Sequence, residues 1–218
     1  MSDNHQHHGH AHDRGLPGAA RYLSLLPHLW RSPVSDAVVD LVRPEPGERV
    51  IDLGAGMGPA TLSAARTGAH VLAVDPTPFM RRVLKLRRLG SPQRANITVV
   101  DGAAESLPVE PATIDAIWTV NTVHHWTNVP TAVGEMKRAL RSGGRVVLVD
   151  EDFDDRAHPF YERMNGRRAA HSHHFDQVDL PAVAALFREH GFVDVVGGVE
   201  QVAGRPAKVI RAKAPPRS

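Results

Sequence analysis

Two rhythms of apolar and polar residues alternate from residue 49 onward: short apolar runs, and longer stretches in which apolar residues recur at helical spacing. The runs predict strands at Arg49–Leu53, His70–Asp75, Ile97–Val100, Asp115–Asn121 and Gly144–Asp150. Helical spacing predicts helices near Pro59–Arg66, Pro78–Arg88 and Val129–Leu140. In the last of these Val129, Ala132, Val133, Met136 and Leu140 share one face, and Gly143 is placed to end it. A final helix, Leu180–His190, is capped by Asp179 and stopped by Gly191, and two closing strands follow near Phe192–Gly197 and Ala207–Lys213. Such alternation implies parallel strands joined by right-handed crossovers, a doubly wound α/β architecture.

Upstream the pattern changes. Residues 1–18 are polar, rich in Gly and His, and carry no apolar periodicity, which predicts a disordered tail. From Ala20 to Val42 apolar residues (Tyr22, Leu23, Leu26, Leu29, Trp30, Ala37, Val38, Leu41) return at helical spacing, broken into short helices by Pro27 and Pro33. Arg43 to Gly47 then forms a turn into the first strand. The expected organisation is therefore a tail, 1–18, and one domain, 19–218. A length of 218 residues suits one well-buried α/β domain. No run approaches a membrane span and no secretory leader opens the chain, so a cytoplasmic protein without a membrane partner is expected. Cysteine is absent, which removes disulfides, thiolate metal sites and cysteine nucleophiles. The formal charge of +2 argues against nucleic acid as a partner.

The chemistry concentrates in Val50-Ile51-Asp52-Leu53-Gly54-Ala55-Gly56-Met57-Gly58. Glycines after a strand let backbone N–H groups approach a ligand that a side chain would block. The spacing Gly-x-Gly-x-Gly differs from the dinucleotide fingerprint, because Pro59 stands where its third glycine belongs. Asp52, at the strand end, would repel a pyrophosphate but suit an ammonium or a sulfonium. Asp75, followed by Pro76, ends the second strand about 20 residues later, the offset at which a carboxylate accepts both hydroxyls of a ribose.

With these residues in place the sequence resembles the class I S-adenosylmethionine (SAM)-dependent methyltransferases, and within them the small-molecule group that includes the ubiquinone and menaquinone C-methyltransferases. The resemblance covers about Gly47 to Val149. It extends through Gly102-Ala103-Ala104-Glu105-Ser106-Leu107-Pro108, Asp115-Ala116-Ile117-Trp118, Val123-His124-His125-Trp126 and the stretch Glu135–Gly144. It implies a Rossmann-like domain with a seven-stranded, mostly parallel sheet and an antiparallel final strand. It also implies SAM as cofactor, with Gly54, Ala55, Gly56 and Gly58 toward the methionine part, Asp75 and Pro76 at the ribose, and Ala103 and Ala104 at the adenine. The family usually carries an acidic residue where this chain has Ala103. Asp101, two residues earlier, keeps the face but sits roughly 6–7 Å away in an extended chain.

Asn121, His124 and His125 follow the fourth strand, at the sheet edge where open α/β folds bind ligands. Asn121 is placed to meet the amino-acid end of SAM. His125, with His124 in reserve, is placed to take a proton from the acceptor; the alternative role for this stretch is packing against the cofactor. Between Asp150 and Asp179 lie Glu151, Asp152, Asp154, Asp155, His158, Tyr161, Arg167, Arg168, His171, His173 and His174. The resemblance implies that this segment helps form the acceptor pocket. The plainer alternative is a solvated loop, and a less favoured one is a divalent-metal site built from the carboxylates with His171, His173 and His174. His5, His7, His8, His10 and His12 give the tail an adventitious affinity for divalent metals; no metal is assigned to the site itself. The expected function is methyl transfer from SAM to a small molecule. A macromolecule methyltransferase and a non-catalytic SAM-binding or metal-sensing protein are the alternatives. The acceptor, the atom methylated and the oligomeric state are left open.

Overall fold

A parallel strand with helices on both sides must be apolar on both faces, and the central strands here are largely so. In the computed structural model, which describes residues 32–162 and 179–216, seven strands make one sheet. They are β1 (Arg49–Leu53), β2 (His70–Val74), β3 (Ile97–Val100), β4 (Ile114–Val120), β5 (Leu140–Glu151), β6 (Val193–Val202) and β7 (Arg205–Lys213). Their spatial order is β3-β2-β1-β4-β5-β7-β6. β1 to β5 run parallel, and the final strand β7 is antiparallel to both its neighbours, as expected for this architecture.

Helices α1 (Pro33–Val42), α2 (Pro59–Ala65) and α3 (Pro78–Leu89) pack on one face, where Val34, Val38, Ala60, Ala64 and Leu84 meet Val50, Ala73 and Trp118. Helices α4 (Val129–Ala139) and α5 (Leu180–Glu189) cover the other, where Met136 and Phe187 meet Ile51, Leu53, Ile117 and Leu148. Short polar side chains begin three of them. Ser32, Asn128 and Asp179 accept hydrogen bonds from the N–H groups of Ser35, Thr131 and Ala182, so one otherwise orphaned donor in each first turn is satisfied.

Some boundaries differ from the sequence expectation. The helix expected to reach Leu140 and stop at Gly143 ends at Ala139, and β5 begins at once with Leu140 paired to Ile114. Backbone pairing wins over helical periodicity there, since Gly143 and Gly144 also exchange hydrogen bonds with Ala214. Asn121 falls outside β4, because its φ of 56° takes the chain into the left-handed region. β6 and β7 are longer than expected. Ala203 and Gly204, at φ 51° and 72°, form the two-residue turn whose twist lets both strands run on to the Val202–Arg205 pair. The region before Ser32, with its His-rich tail and the periodic stretch around Leu23 to Trp30, lies outside the described residues.

Strand order reverses between β1 and β4. The chain leaves β1 toward α2 on one face and leaves β4 toward α4 on the other, so the two loops part at the carboxyl edge and open a crevice. At the opposite edge Arg145 of β5 holds the sheet to α1. Its guanidinium donates to the Val42 carbonyl at 2.6 Å, the Arg43 carbonyl at 2.7 Å and both oxygens of Glu48 at 2.8 and 2.6 Å. Arg145 in turn holds the Glu48 carboxyl below its usual range. Replacing Arg145 with Ala is expected to lower stability by about 2–3 kcal/mol, because charge-assisted bonds are lost and the helix-end carbonyls are left without this donor. Urea denaturation of the variant beside the parent measures it.

Candidate functional site

The three glycines after β1 do three different things. A Cβ on Gly54 would lie 2.3 Å from Thr122 Cγ2, so this glycine lets the loop after β1 touch the loop after β4. A Cβ on Gly58 would lie 2.0 Å from Leu84 Cδ1, so this one seats α2 against α3. Around Gly56 the nearest atom to such a Cβ is the Gly54 carbonyl oxygen at 4.0 Å, and the space in front of the loop is open. Gly56 is the one of the three where an added Cβ would meet no clash.

Asp75 fixes that loop. Its carboxylate accepts from Gly56 N–H and from Thr77 N–H, each at 2.8 Å, while Gly54 and Ala55 N–H bond the Val74 carbonyl at 2.8 and 3.1 Å. Burial pushes the Asp75 carboxyl above its usual range, against the pull of these N–H groups. Asp52 lies deeper, 3% exposed, and accepts from Thr61 Oγ1. Burial drives its carboxyl up to about 7, helped by the charge of Asp75 and opposed by Thr61 and by the indole of Trp118. Pro76 is exposed beside Asp75.

On the β4 side, His124 and His125 sit in a short 3-10 turn, Val123–His125. The structure separates their roles. His125 is exposed, whereas His124 is partly buried with Nδ1 at 3.0 Å from Asp150 Oδ1. Asp150 is 5% exposed at the end of β5; burial raises its carboxyl pKa, and His124 partly offsets this. The neighbouring Glu151 heads a second network. It accepts from Asn121 Nδ2 at 2.8 Å and Arg205 at 2.8 Å and pairs with His158 Nε2 at 3.0 Å, and its N–H donates to Asn121 Oδ1 at 2.7 Å. The Asn121 amide is thus tied to β5.

The adenine side differs again. Ala103 makes a turn bridged to Ser106, and Ala104 is buried. Asp101 is largely exposed and pairs with Arg81 at 2.9 Å, an arginine that also donates to the Asp75 carbonyl at 2.7 Å. Glu105 accepts from Thr127 and Asn128, and so ties this loop to the one after β4. Sequence reasoning brought Asp52, the glycine loop, Asp75 and His124 to one edge. It missed Asp150 and Glu151 as partners of histidines, although Asp150 ends an apolar run as Asp75 does. Arg167, Arg168, His171, His173 and His174 lie outside the described residues.

This arrangement has relatives. Residues 51–148 match the family described as a methyltransferase domain. The matched span, from β1 to β5, is a little under half of the chain. An uncharacterized methyltransferase of Mycobacterium tuberculosis is 38% identical over 118 residues, 54% of this chain and 46% of that protein. A demethylmenaquinone methyltransferase of Thermobifida fusca is 37% identical over 121 residues, 56% of this chain and 49% of that protein. The chain thus spans about half the length of these curated relatives. Among solved structures, a SAM-dependent methyltransferase from Aquifex aeolicus superposes with a TM-score of 0.64 at 18% identity, covering 89% of this chain and 97% of that one. Phosphoethanolamine N-methyltransferase 2 of Haemonchus contortus, solved with SAM, superposes with a TM-score of 0.69 at 15% identity, covering 95% of this chain and 59% of that one. The likeness to these two is one of fold.

Room before Gly56, a fixed carboxylate at Asp75 with lone pairs beyond those its two N–H bonds use, and a second buried carboxylate at Asp52 would suit a ligand that carries hydroxyl groups and a positive charge. No helix among the described residues is long and apolar enough to cross a membrane. Because the folded state raises the Asp52 pKa, it binds the proton more tightly than the unfolded chain does. Stability therefore falls as pH rises from about 4 to about 7, and the full cost stands above that. Asp52→Asn is expected to be more stable than the parent at pH 8 by about 2–4 kcal/mol and equal to it near pH 4. Urea midpoints across that range test this.

Proposed function

We propose that the chain transfers the methyl group of SAM to a small-molecule acceptor that gives up a proton as it reacts. The observation that carries the reading is the pairing of Gly56 N–H with the Asp75 carboxylate, beside open space at the strand-order reversal. In this reading Asp75 accepts from the ribose hydroxyls, the loop Gly54–Gly58 lines the methionine portion, and Asp52 adds negative charge beneath it. SAM, when bound, supplies an electrophilic methyl on a sulfonium. The chain's own part is to align the partners, exclude water and move one proton.

His124 is the group we assign to the proton. With Nδ1 donating to Asp150, the imidazole is held in one tautomer, and Nε2 carries the lone pair that accepts the acceptor's proton. His125, the residue put first by the sequence, is solvent-exposed, which suits it less to this task. A small-molecule acceptor is supported by the name of the Thermobifida relative, a demethylmenaquinone methyltransferase. It is supported also by the name of the Haemonchus structure, a phosphoethanolamine N-methyltransferase.

Calorimetric titration with SAM should show binding that Asp75→Ala weakens by roughly 30–150-fold, the effect of two lost charge-assisted hydrogen bonds. A folded Asp75→Ala protein with parental affinity would remove this site from the proposal.

Methyl-labelled SAM, offered with phenols, quinols, thiols and amines, identifies the acceptor class. With that acceptor, His124→Ala should lower the single-turnover rate by roughly 10²–10⁴-fold while SAM affinity holds, and Asp150→Asn should lower it in the same direction. Parent-like rates in both variants would leave positioning as the whole mechanism.

A further inference from the structure

Away from the crevice, α3 carries a surface that neither the fold nor the proposed reaction uses. The helix buries Met80 and Leu84 against the sheet. Its opposite side presents Arg82, Lys85, Leu86 and Leu89, spaced i, i+3, i+4 and i+7, so that all four share one face. Leu86 is 70% exposed and Leu89 65% exposed, well beyond ordinary helix leucines. Phe79, 39% exposed, begins the same stripe one turn earlier. Between this face and the edge strand β3 runs a groove of about 650 Å³, bordered by Arg82, Lys85, Leu86, Leu89 and Thr98.

The charge around the groove has one sign. Residues 76–100 contain six Lys or Arg and no Asp or Glu. Three of the arginines are engaged toward the protein: Arg81 on Asp75 and Asp101, Arg87 on the Met57 carbonyl, and Arg88 on the Arg94 carbonyl. Arg82 and Lys85 form no hydrogen bond or ion pair with a described residue and point their charge outward with the leucines. The exposed valines of β6 make a useful contrast. Val196 and Val199 lie near Asp194 and Glu200, which pair with Lys213 and Arg211, so that surface is charge-balanced.

We propose that the Arg82–Lys85–Leu86–Leu89 face of α3 docks on an anionic lipid bilayer. Cations beside bulky aliphatic side chains, on a helix of about 18 Å, match a surface that offers phosphates above and hydrocarbon below. The leucines enter the acyl boundary while Arg82 and Lys85 meet lipid phosphates. Nucleic acid would use the cations but gives two exposed leucines nothing to do, and one aromatic does not make a stacking platform. The proposal is independent of the acceptor and of the role of His124.

The test is sedimentation of the full chain with vesicles of phosphatidylglycerol and phosphatidylcholine, and with phosphatidylcholine alone. The expected result is binding to the anionic vesicles that 0.5 M salt suppresses, and little binding to the neutral ones. Leu86→Ser/Leu89→Ser should weaken it by at least about tenfold. Arg82→Gln/Lys85→Gln should weaken it by roughly 20–30-fold. All four substitutions are at exposed positions, and parental thermal melting of the variants establishes that they fold. Absence of vesicle binding overturns the proposal, as does binding that the leucine variant leaves unchanged. Binding to a single-stranded oligonucleotide that depends on Arg82 and Lys85, without lipid binding, would reassign the face to nucleic acid. A dimer that the leucine variant dissolves, again without lipid binding, would reassign it to a second copy of the chain.

Discussion

Four carboxylates are buried along the carboxyl edge of one sheet: Asp52, Asp75, Asp150 and Glu151. Removing them from water is costly, and the architecture answers each with a local donor. Asp75 takes two backbone N–H groups, Asp52 a threonine hydroxyl, Asp150 an imidazole, and Glu151 an amide, an imidazole and a guanidinium. The order of compensation is uneven. Glu151 is the most fully partnered, whereas Asp52 has its carboxyl pushed up to about 7 and Asp150 keeps one buried oxygen, Oδ2, with no hydrogen bond to a described residue.

The two sides of the edge are therefore built differently. On the β5 side Glu151 welds Asn121, His158 and Arg205 into a cross-strand clamp, which fixes how β4 leaves the sheet. On the β1 and β2 side Asp75 holds the glycine loop, and burial raises both Asp75 and Asp52 above the usual carboxylate range. The His124–Asp150 pair stands at the boundary.

The periodic parts of this arrangement were legible in the sequence. Val71–Val74 and Val146–Val149 read as buried strands because nothing polar interrupts them, and Val50–Leu53 because only Asp52 does, while the Gly54–Gly58 spacing with Asp75 twenty-one residues on marked the crevice. The rest depends on contacts far apart in the chain. Asp150 meets His124 across 26 positions and Arg205 meets Glu151 across 54, and neither separation leaves a local pattern. The early start of β5 was hidden for a similar reason. Its Leu140 continues the helical stripe of α4, and only pairing with Ile114 decides that it is a strand. Choosing between adjacent histidines was likewise a question of direction in a short turn, which spacing does not encode.

Trp118 gives the molecule an internal reporter. The indole is fully buried in β4 and lies against Asp52, whose ionisation changes the field across the ring. Emission from an indole follows the local field, so the colour of its fluorescence tracks the charge state of the crevice floor without any added label. A cation settling above Asp52 would register in the same signal, which makes this protein's own light a readout of events at the edge of its sheet.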